Sequence, residues 1–338
     1  MTRNRLLRTP IAVAAIAACL LALTAASASA TLTGAGSTLV APILANWKAG
    51  FAKTGGTSIQ YSAIGSGAGI AQITARTVDF GASDAPLTRE QSNACDGCVQ
   101  IPWALSATGV AYNLSGVKGV KLTGTVLAEM FLGKIKKWND PKIKKLNKGA
   151  KLPATKVTPV YRTDGSGDTY VFTDFLSKVN SKFRSQVGAA TSVGFPVGVG
   201  AKGNLGLTNT VKKTPGAISY IAASYMIASG MQAAQVQNLA GKFVYPNLSN
   251  ISAAAKVVKS VPSSNTVSIV NPPKSAKLAW PLSTFTYAIV PKNSSEKAEI
   301  KKFVEYAITK GQSLGASLDF PPMPAVMTAA AKRALGSL

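Results

Sequence analysis

Three short segments carry most of the chemistry this sequence can offer. Gly34-Ala35-Gly36-Ser37-Thr38, Gly65-Ser66-Gly67 and Asp164-Gly165-Ser166-Gly167 each place small residues and hydroxyls just ahead of a stretch with helical spacing. A helix start offers free backbone N–H groups and the positive end of the helix dipole, which together attract anions. Glycine lets the backbone approach a ligand closely, and a hydroxyl adds a rotatable donor. One such turn alone is ordinary helix capping. Three in one chain, with Arg162 beside the third, point to an anion site. Gly34-x-Gly36 lacks the further glycine spacing and the acidic residue of a dinucleotide site.

Catalysis fits these residues poorly. The chain has no His, so a Ser-His-Asp apparatus is excluded. Its 13 acidic residues are scattered, whereas a metal phosphatase needs a cluster of carboxylates and imidazoles. Ser66 or Ser166 as a nucleophile has no evident base. Neither a metal nor a cofactor is expected.

The elements that position these turns alternate. Pro42 to Ala52 has helical spacing through Ile43, Leu44, Trp47 and Phe51. Ser58 to Ile64 reads as a strand, followed by a helix through Ile70 and Ile73. Val78 to Ala82 is another strand and ends at Ser83-Asp84. Strands are also expected at Ala107 to Tyr112, Val157 to Tyr161, Ala217 to Ile221 and Phe285 to Val290. Thr169 to Val179 and Glu299 to Thr309 have helical spacing, and Val257 to Lys277 reads as a surface connection. This is an α/β pattern with ligand loops after strand ends.

The first thirty residues have the layout of a secretory signal. Arg3, Arg5 and Arg8 precede an apolar run from Ile11 to Leu23, and Ala28-Ser29-Ala30 supplies small residues for cleavage. Cleavage near Ala30 is the expected processing. Ile16-Ala17-Ala18-Cys19 resembles a lipobox, but the apolar residues after it make a lipid anchor at Cys19 the lesser alternative. Export places Cys95 and Cys98, in Cys-Asp-Gly-Cys, outside the reducing cytoplasm, where a local disulfide across the Asp-Gly turn is the favoured reading. A zinc site would need about four ligands, and no other cysteine pair exists.

The 338 residues can bury two cores. The formal charge is +24, and eleven lysines between Lys118 and Lys156 face only Glu129 and Asp140. Such a field concentrates small anions, anionic headgroups or nucleic acid. No nucleic-acid motif accompanies it, aromatics are sparse, and a solvated lysine-rich face is the plain reading.

The chain resembles the phosphate-binding proteins of bacterial high-affinity phosphate import. The resemblance rests on Gly34-Ala35-Gly36-Ser37-Thr38, Ala63-Ile64-Gly65-Ser66-Gly67-Ala68-Gly69 and Thr77-Val78-Asp79-Phe80-Gly81-Ala82-Ser83-Asp84-Ala85-Pro86-Leu87. It continues in Gly133-Lys134-Ile135-Lys136-Lys137-Trp138, Arg162-Thr163-Asp164-Gly165-Ser166-Gly167, Pro215-Gly216-Ala217-Ile218-Ser219-Tyr220 and Trp280-Pro281-Leu282. It implies a two-lobed periplasmic-binding-protein fold (type II), with residues 31–104 plus 283–338 as one α/β lobe and 105–282 as the other. Two crossings, near Trp103-Ala104 and Leu282-Ser283, would form the hinge. The implied phosphate ligands are Thr38, Leu39, Ser66, Arg162, Ser166 and Gly167 as donors and Asp84 as acceptor of the anion's proton. Leu39 replaces the Phe usual there, which a backbone contact tolerates. Asp164 would pair with Arg162. Asp168 stands where the family often has Thr, with Thr169 following. Either Asp168 points outward and gives only its N–H, or it weakens binding or makes it pH-dependent. The implied partners are inorganic phosphate, an ABC permease and its cytoplasmic ATPases, with the protein monomeric and periplasmic or otherwise extracytoplasmic. The alternatives are a phosphate sensor, a surface protein with a modified site, and, less favoured, a phosphate-ester hydrolase.

Overall fold

The computed structural model describes residues 31–338; the signal-peptide and Cys19 expectations fall outside the described residues. Among the described residues the strands are β1 (Leu32–Gly36), β2 (Ile59–Ala63), β3 (Phe80–Ser83), β4 (Cys98–Tyr112), β5 (Lys121–Leu122), β6 (Thr158–Arg162), β7 (Val199–Ala201), β8 (Ala217–Ala222), β9 (Gln232–Ala233), β10 (Gln235–Gln237), β11 (Phe243–Val244) and β12 (Ser283–Pro291). Nine of them form one continuous sheet in the order β2-β1-β3-β12-β4-β8-β6-β7, with β9 also on β4. The other three make a small separate sheet, β11-β10-β5. The outer pairs β1–β2, β1–β3, β6–β8 and β6–β7 are parallel, as alternating strands and helices require. The central pairings β3–β12, β12–β4 and β4–β8 are antiparallel.

Strand β4 spans both halves of this sheet. Its residues from Cys98 to Ala107 pair with β12, and Thr108 to Tyr112 pair with β8. Nearly all of β4 and all of β12 are buried. The strand is longer than the expected Ala107–Tyr112, because Pro102 and Gln100 break the apolar run while the backbone still pairs with β12. Cys98, its first residue, forms a disulfide with Cys95 just ahead of it.

Helices α1 (Ala41–Ala52), α2 (Ser66–Thr74), α3 (Arg89–Ala94), α4 (Gly124–Phe131), α5 (Pro141–Leu146), α6 (Gly167–Val179), α7 (Ser181–Gln186) and α8 (Gly203–Lys213) fill the connections, and five further helical segments follow among the described residues. Helix α1 carries a proline in its first turn and buries Ile43, Leu44, Trp47 and Phe51, one apolar stripe at helical spacing. Trp47 packs on Trp103 of β4 at 5.3 Å between ring centroids, and Phe80 lies 6.0 Å from the same ring. In the other half Phe131 meets Phe172 edge-on at 4.7 Å, and Phe172 stacks on Tyr220 at 4.6 Å. Each half therefore has its own aromatic cluster within one continuous apolar core. No helix among the described residues is long and apolar enough to cross a membrane.

Candidate functional site

The three small-residue turns all open helices at the seam between the two halves. The first follows β1 and leads through Thr38 to α1. The second follows β2 and starts α2 at Ser66. The third follows β6 and starts α6 at Gly167. They meet there: the Gly67 N–H donates to the Gly165 carbonyl at 3.0 Å, and the Gly167 N–H to Ser66 Oγ at 3.1 Å. Such closeness needs glycine. A Cβ at Gly65, whose φ is +99°, would sit 2.5 Å from Asp164 Oδ2, and one at Gly167 would sit 2.4 Å from the Asp84 Cβ. Neither the Thr38 nor the Leu39 N–H, just ahead of α1, has a hydrogen-bond acceptor among the described residues.

Asp84 stands at the end of β3, 1% exposed. Ser37 Oγ donates to its carboxylate at 2.6 Å and Ser66 Oγ at 3.3 Å. Burial pushes its pKa from 3.8 up to about 7, the negative charge of Asp168 adds to the rise, and Ser37, Arg162 and Ser66 oppose it. Arg162 ends β6 and is buried. Its Nε donates to Asp164 Oδ1 at 2.7 Å, its Nη2 to Asp164 Oδ2, and its Nη1 reaches Asp168 Oδ2 at 3.4 Å. The fork on Asp164 fixes the guanidinium plane. Burial works against the Asp164 charge, but Arg162 and the Gly203 N–H outweigh it and hold that carboxyl below the usual range.

Asp168 does not point outward. Helix α6 begins at Gly167, two residues earlier than its apolar spacing indicates, so Asp168 lies in the first turn on the inner face, fully buried. Thr108 of β4 donates to its Oδ1 at 2.7 Å, and Asn204 donates to its Oδ2 at 2.7 Å. Burial raises its pKa, against Arg162, Thr108 and Asn204. Ser166 caps α6 with Oγ accepting the Thr169 N–H at 3.3 Å. Thr169 turns its hydroxyl away from Asp84, to Tyr220 Oη at 2.9 Å, and Tyr220 Oη also accepts the Arg162 N–H at 3.0 Å. Tyr220 thus links the aromatic core to the backbone of the charged site.

The structure therefore brings Thr38, Ser66, Asp84, Arg162, Ser166, Gly167 and Asp168 into one buried cluster with the part-buried Asp164 at its edge, and Leu39 lies buried beside Thr38. Sequence reasoning missed Ser37, Thr108, Asn204 and Tyr220. Ser37 lies inside a motif already singled out, and its place before α1 was the available signal. Thr108 in mid-strand and Asn204 after a glycine carry no local signal of this kind. The cluster holds three carboxylates and one guanidinium, ringed by N–H and O–H donors. That arrangement can surround a small tetrahedral oxyanion, provided the anion brings a proton for a carboxylate to accept.

Two α/β halves that meet at a cluster of hydrogen-bond donors and carboxylates have the fold of binding proteins of the periplasmic type. A family model described as a PBP superfamily domain matches residues 23–310. Among curated relatives, the phosphate-binding protein PstS of Pasteurella multocida (strain Pm70) is 38% identical over 300 residues, covering 87% of this chain and 86% of its own length. The phosphate-binding protein PstS of Xylella fastidiosa (strain Temecula1) is 36% identical over 301 residues, covering 88% and 82%. The chain belongs to this family of phosphate-binding proteins. The crystal structure of a phosphate-binding protein from Stenotrophomonas maltophilia superposes with a TM-score of 0.73 at 19% identity, covering 90% of this chain and 93% of that one, and shares the two-lobed fold.

Proposed function

We propose that this protein captures inorganic phosphate outside the cytoplasmic membrane and delivers it to the permease of an ABC importer. The observation that carries the reading is the placement of Asp84. A buried carboxylate sits against Ser66 and the start of α6, within a ring of donors that favours an anion. A carboxylate repels a fully ionised anion in a buried site at a cost of several kcal/mol. It accepts a strong hydrogen bond from one that retains a proton. Phosphate retains one near neutral pH and sulfate does not, so Asp84 is the selectivity element.

The donors are the Thr38 hydroxyl and N–H, the Leu39 N–H, Ser66, the Arg162 fork, Ser166 and the Gly167 N–H. Asp164 holds the fork. The lobes are residues 31–104 with 283–338, and 105–282, hinged at the two central strands, so that closure excludes water and strengthens each bond to the anion. The protein acts after signal cleavage near Ala30, as a monomer, with a permease and its ATPases as partners, and it binds phosphate without turning over phosphate esters. The relatives' shared name and their cover of most of the chain support this reading.

The test is calorimetric titration of the processed protein, freed of bound anion, with phosphate and then sulfate at moderate salt. Tight one-to-one phosphate binding is expected, with sulfate bound far more weakly and the gap widening as pH rises through about 7. Equal, weak and salt-sensitive binding of both anions would show only the lysine-rich surface at work and would overturn the reading.

A further inference from the structure

We propose that Asn204 is a positioning residue of the anion site, a clasp that turns the Thr38 hydroxyl toward the anion and keeps Asp168 from competing with Asp84 for the anion's proton. The proposal deepens the phosphate reading and rests on it. Asn204 lies in the first turn of α8 and is wholly buried. Its Oδ1 accepts the Ala222 N–H at 2.9 Å at the end of β8, which fixes the side-chain amide with Nδ2 facing the site. Nδ2 has two hydrogens and uses both, on Thr38 Oγ1 at 2.8 Å and on Asp168 Oδ2 at 2.7 Å. The two acceptors come from opposite halves of the sheet, one from the turn after β1 and the other from α6.

Each bond has a consequence. A hydroxyl that accepts from Asn204 must place its own hydrogen elsewhere, so Thr38 is set as a donor toward the anion. Asp168 accepts from Thr108, Asn204 and Arg162, which occupies most of its acceptor capacity inside the protein. Among the described residues Asp84 accepts from serine hydroxyls alone. Of two buried carboxylates sharing one site, the one with weaker donors takes the proton. Asp168 then stays tied to its own partners, with Arg162 beside it, and Asp84 remains the acceptor. The other charged and titratable groups facing Asp168 are Asp164 from the turn after β6, Tyr220 of β8 and Tyr225 of the helix Ala223–Ala228. Burial raises both tyrosines well clear of neutral pH, so they contribute no titration there.

The experiment is calorimetric phosphate titration at pH 6, 7 and 8 on the wild type, Asn204→Ala, Asn204→Asp and the double variant Asn204→Ala with Asp168→Asn. Asn204→Ala should weaken phosphate binding about 10- to 100-fold at pH 8, the loss of a hydrogen bond to a charged group together with one to Thr38. About tenfold of that loss should return at pH 6, because Asp168 without the amide becomes a second group that takes up a proton. Asn204→Asp keeps the size and the bond to Ala222 but adds a charge, so its loss at pH 8 and its recovery at pH 6 should both be at least as large. In the double variant the recovery at pH 6 should vanish. A loss of equal factor at every pH, with or without Asp168, would assign Asn204 to plain packing and overturn the proposal. Wild-type affinity in Asn204→Asp would overturn it as well. A wild type that ignores phosphate would instead bring down the phosphate reading, and this inference with it.

Discussion

Sulfate binding should fall with rising pH, and Asp84 should set that fall. Sulfate carries no proton near neutrality, so it can enter the site only when Asp84 is protonated and can donate to it. The Asp84 pKa of about 7 makes this a measurable linkage. Above pH 7 each further unit makes the protonated form tenfold rarer, which costs about 1.4 kcal/mol of binding free energy. The wild-type sulfate affinity should therefore be roughly tenfold weaker at pH 8 than at pH 6, and roughly a hundredfold weaker at pH 9. Phosphate, which brings its own proton, should lose far less between pH 6 and pH 8. Asp84→Asn keeps the shape, offers a permanent donor and cannot titrate, so its sulfate affinity should be flat with pH and higher than that of the wild type at pH 8. The assay is competition calorimetry across pH, repeated in two buffers of different ionisation enthalpy to count the proton taken up. A wild-type sulfate profile that is flat, or that Asp84→Asn reproduces with the same slope, would refute the reasoning.

Stability should carry the same signature. The folded pKa of Asp84 lies above its unfolded value of 3.8, so the native state holds the extra proton and stability falls as pH rises from about 4 to about 7. The Asp84 share is at most roughly 4 kcal/mol, and urea unfolding of the phosphate-free protein should show a shallower pH dependence in Asp84→Asn. Arg162→Ala leaves the buried Asp168 and the part-buried Asp164 without their cation, and should cost about 3–5 kcal/mol of stability as well as phosphate binding. A thermal melt unchanged in that variant would contradict the charge assignment. Replacing Cys95 and Cys98 with Ser opens only a four-residue loop, so the loss should be about 2 kcal/mol, with phosphate affinity unaltered in calorimetry.

Much of this site was legible because its parts are local. A glycine, a hydroxyl and the helix they cap lie within a few residues of one another, and Asp84 follows its strand directly. The strand and helix alternation was legible for the same reason, since periodicity is a property of short windows. The relations that decide the chemistry are not local. Asp168 points inward because α6 starts at Gly167 and packs that face against Thr108, sixty residues earlier in the chain. Asn204 matters because a glycine turn brings it between Thr38 and Asp168. Nothing in the dipeptide Gly203-Asn204 distinguishes it from an ordinary helix start. The length of β4 was hidden in a similar way. Its first half is set by pairing with β12, nearly two hundred residues away, and Pro102 conceals it from any local count.

The most direct test of the account is a crystal structure of the processed protein grown with phosphate. The account predicts one phosphate enclosed between the two lobes, accepting from Thr38, Leu39, Ser66, Arg162, Ser166 and Gly167, with one oxygen at short hydrogen-bond distance from Asp84 and Asp168 still held by Thr108 and Asn204. A phosphate found only among the lysines between Lys118 and Lys156, or one that lies in the seam but turns no oxygen to Asp84, would contradict it.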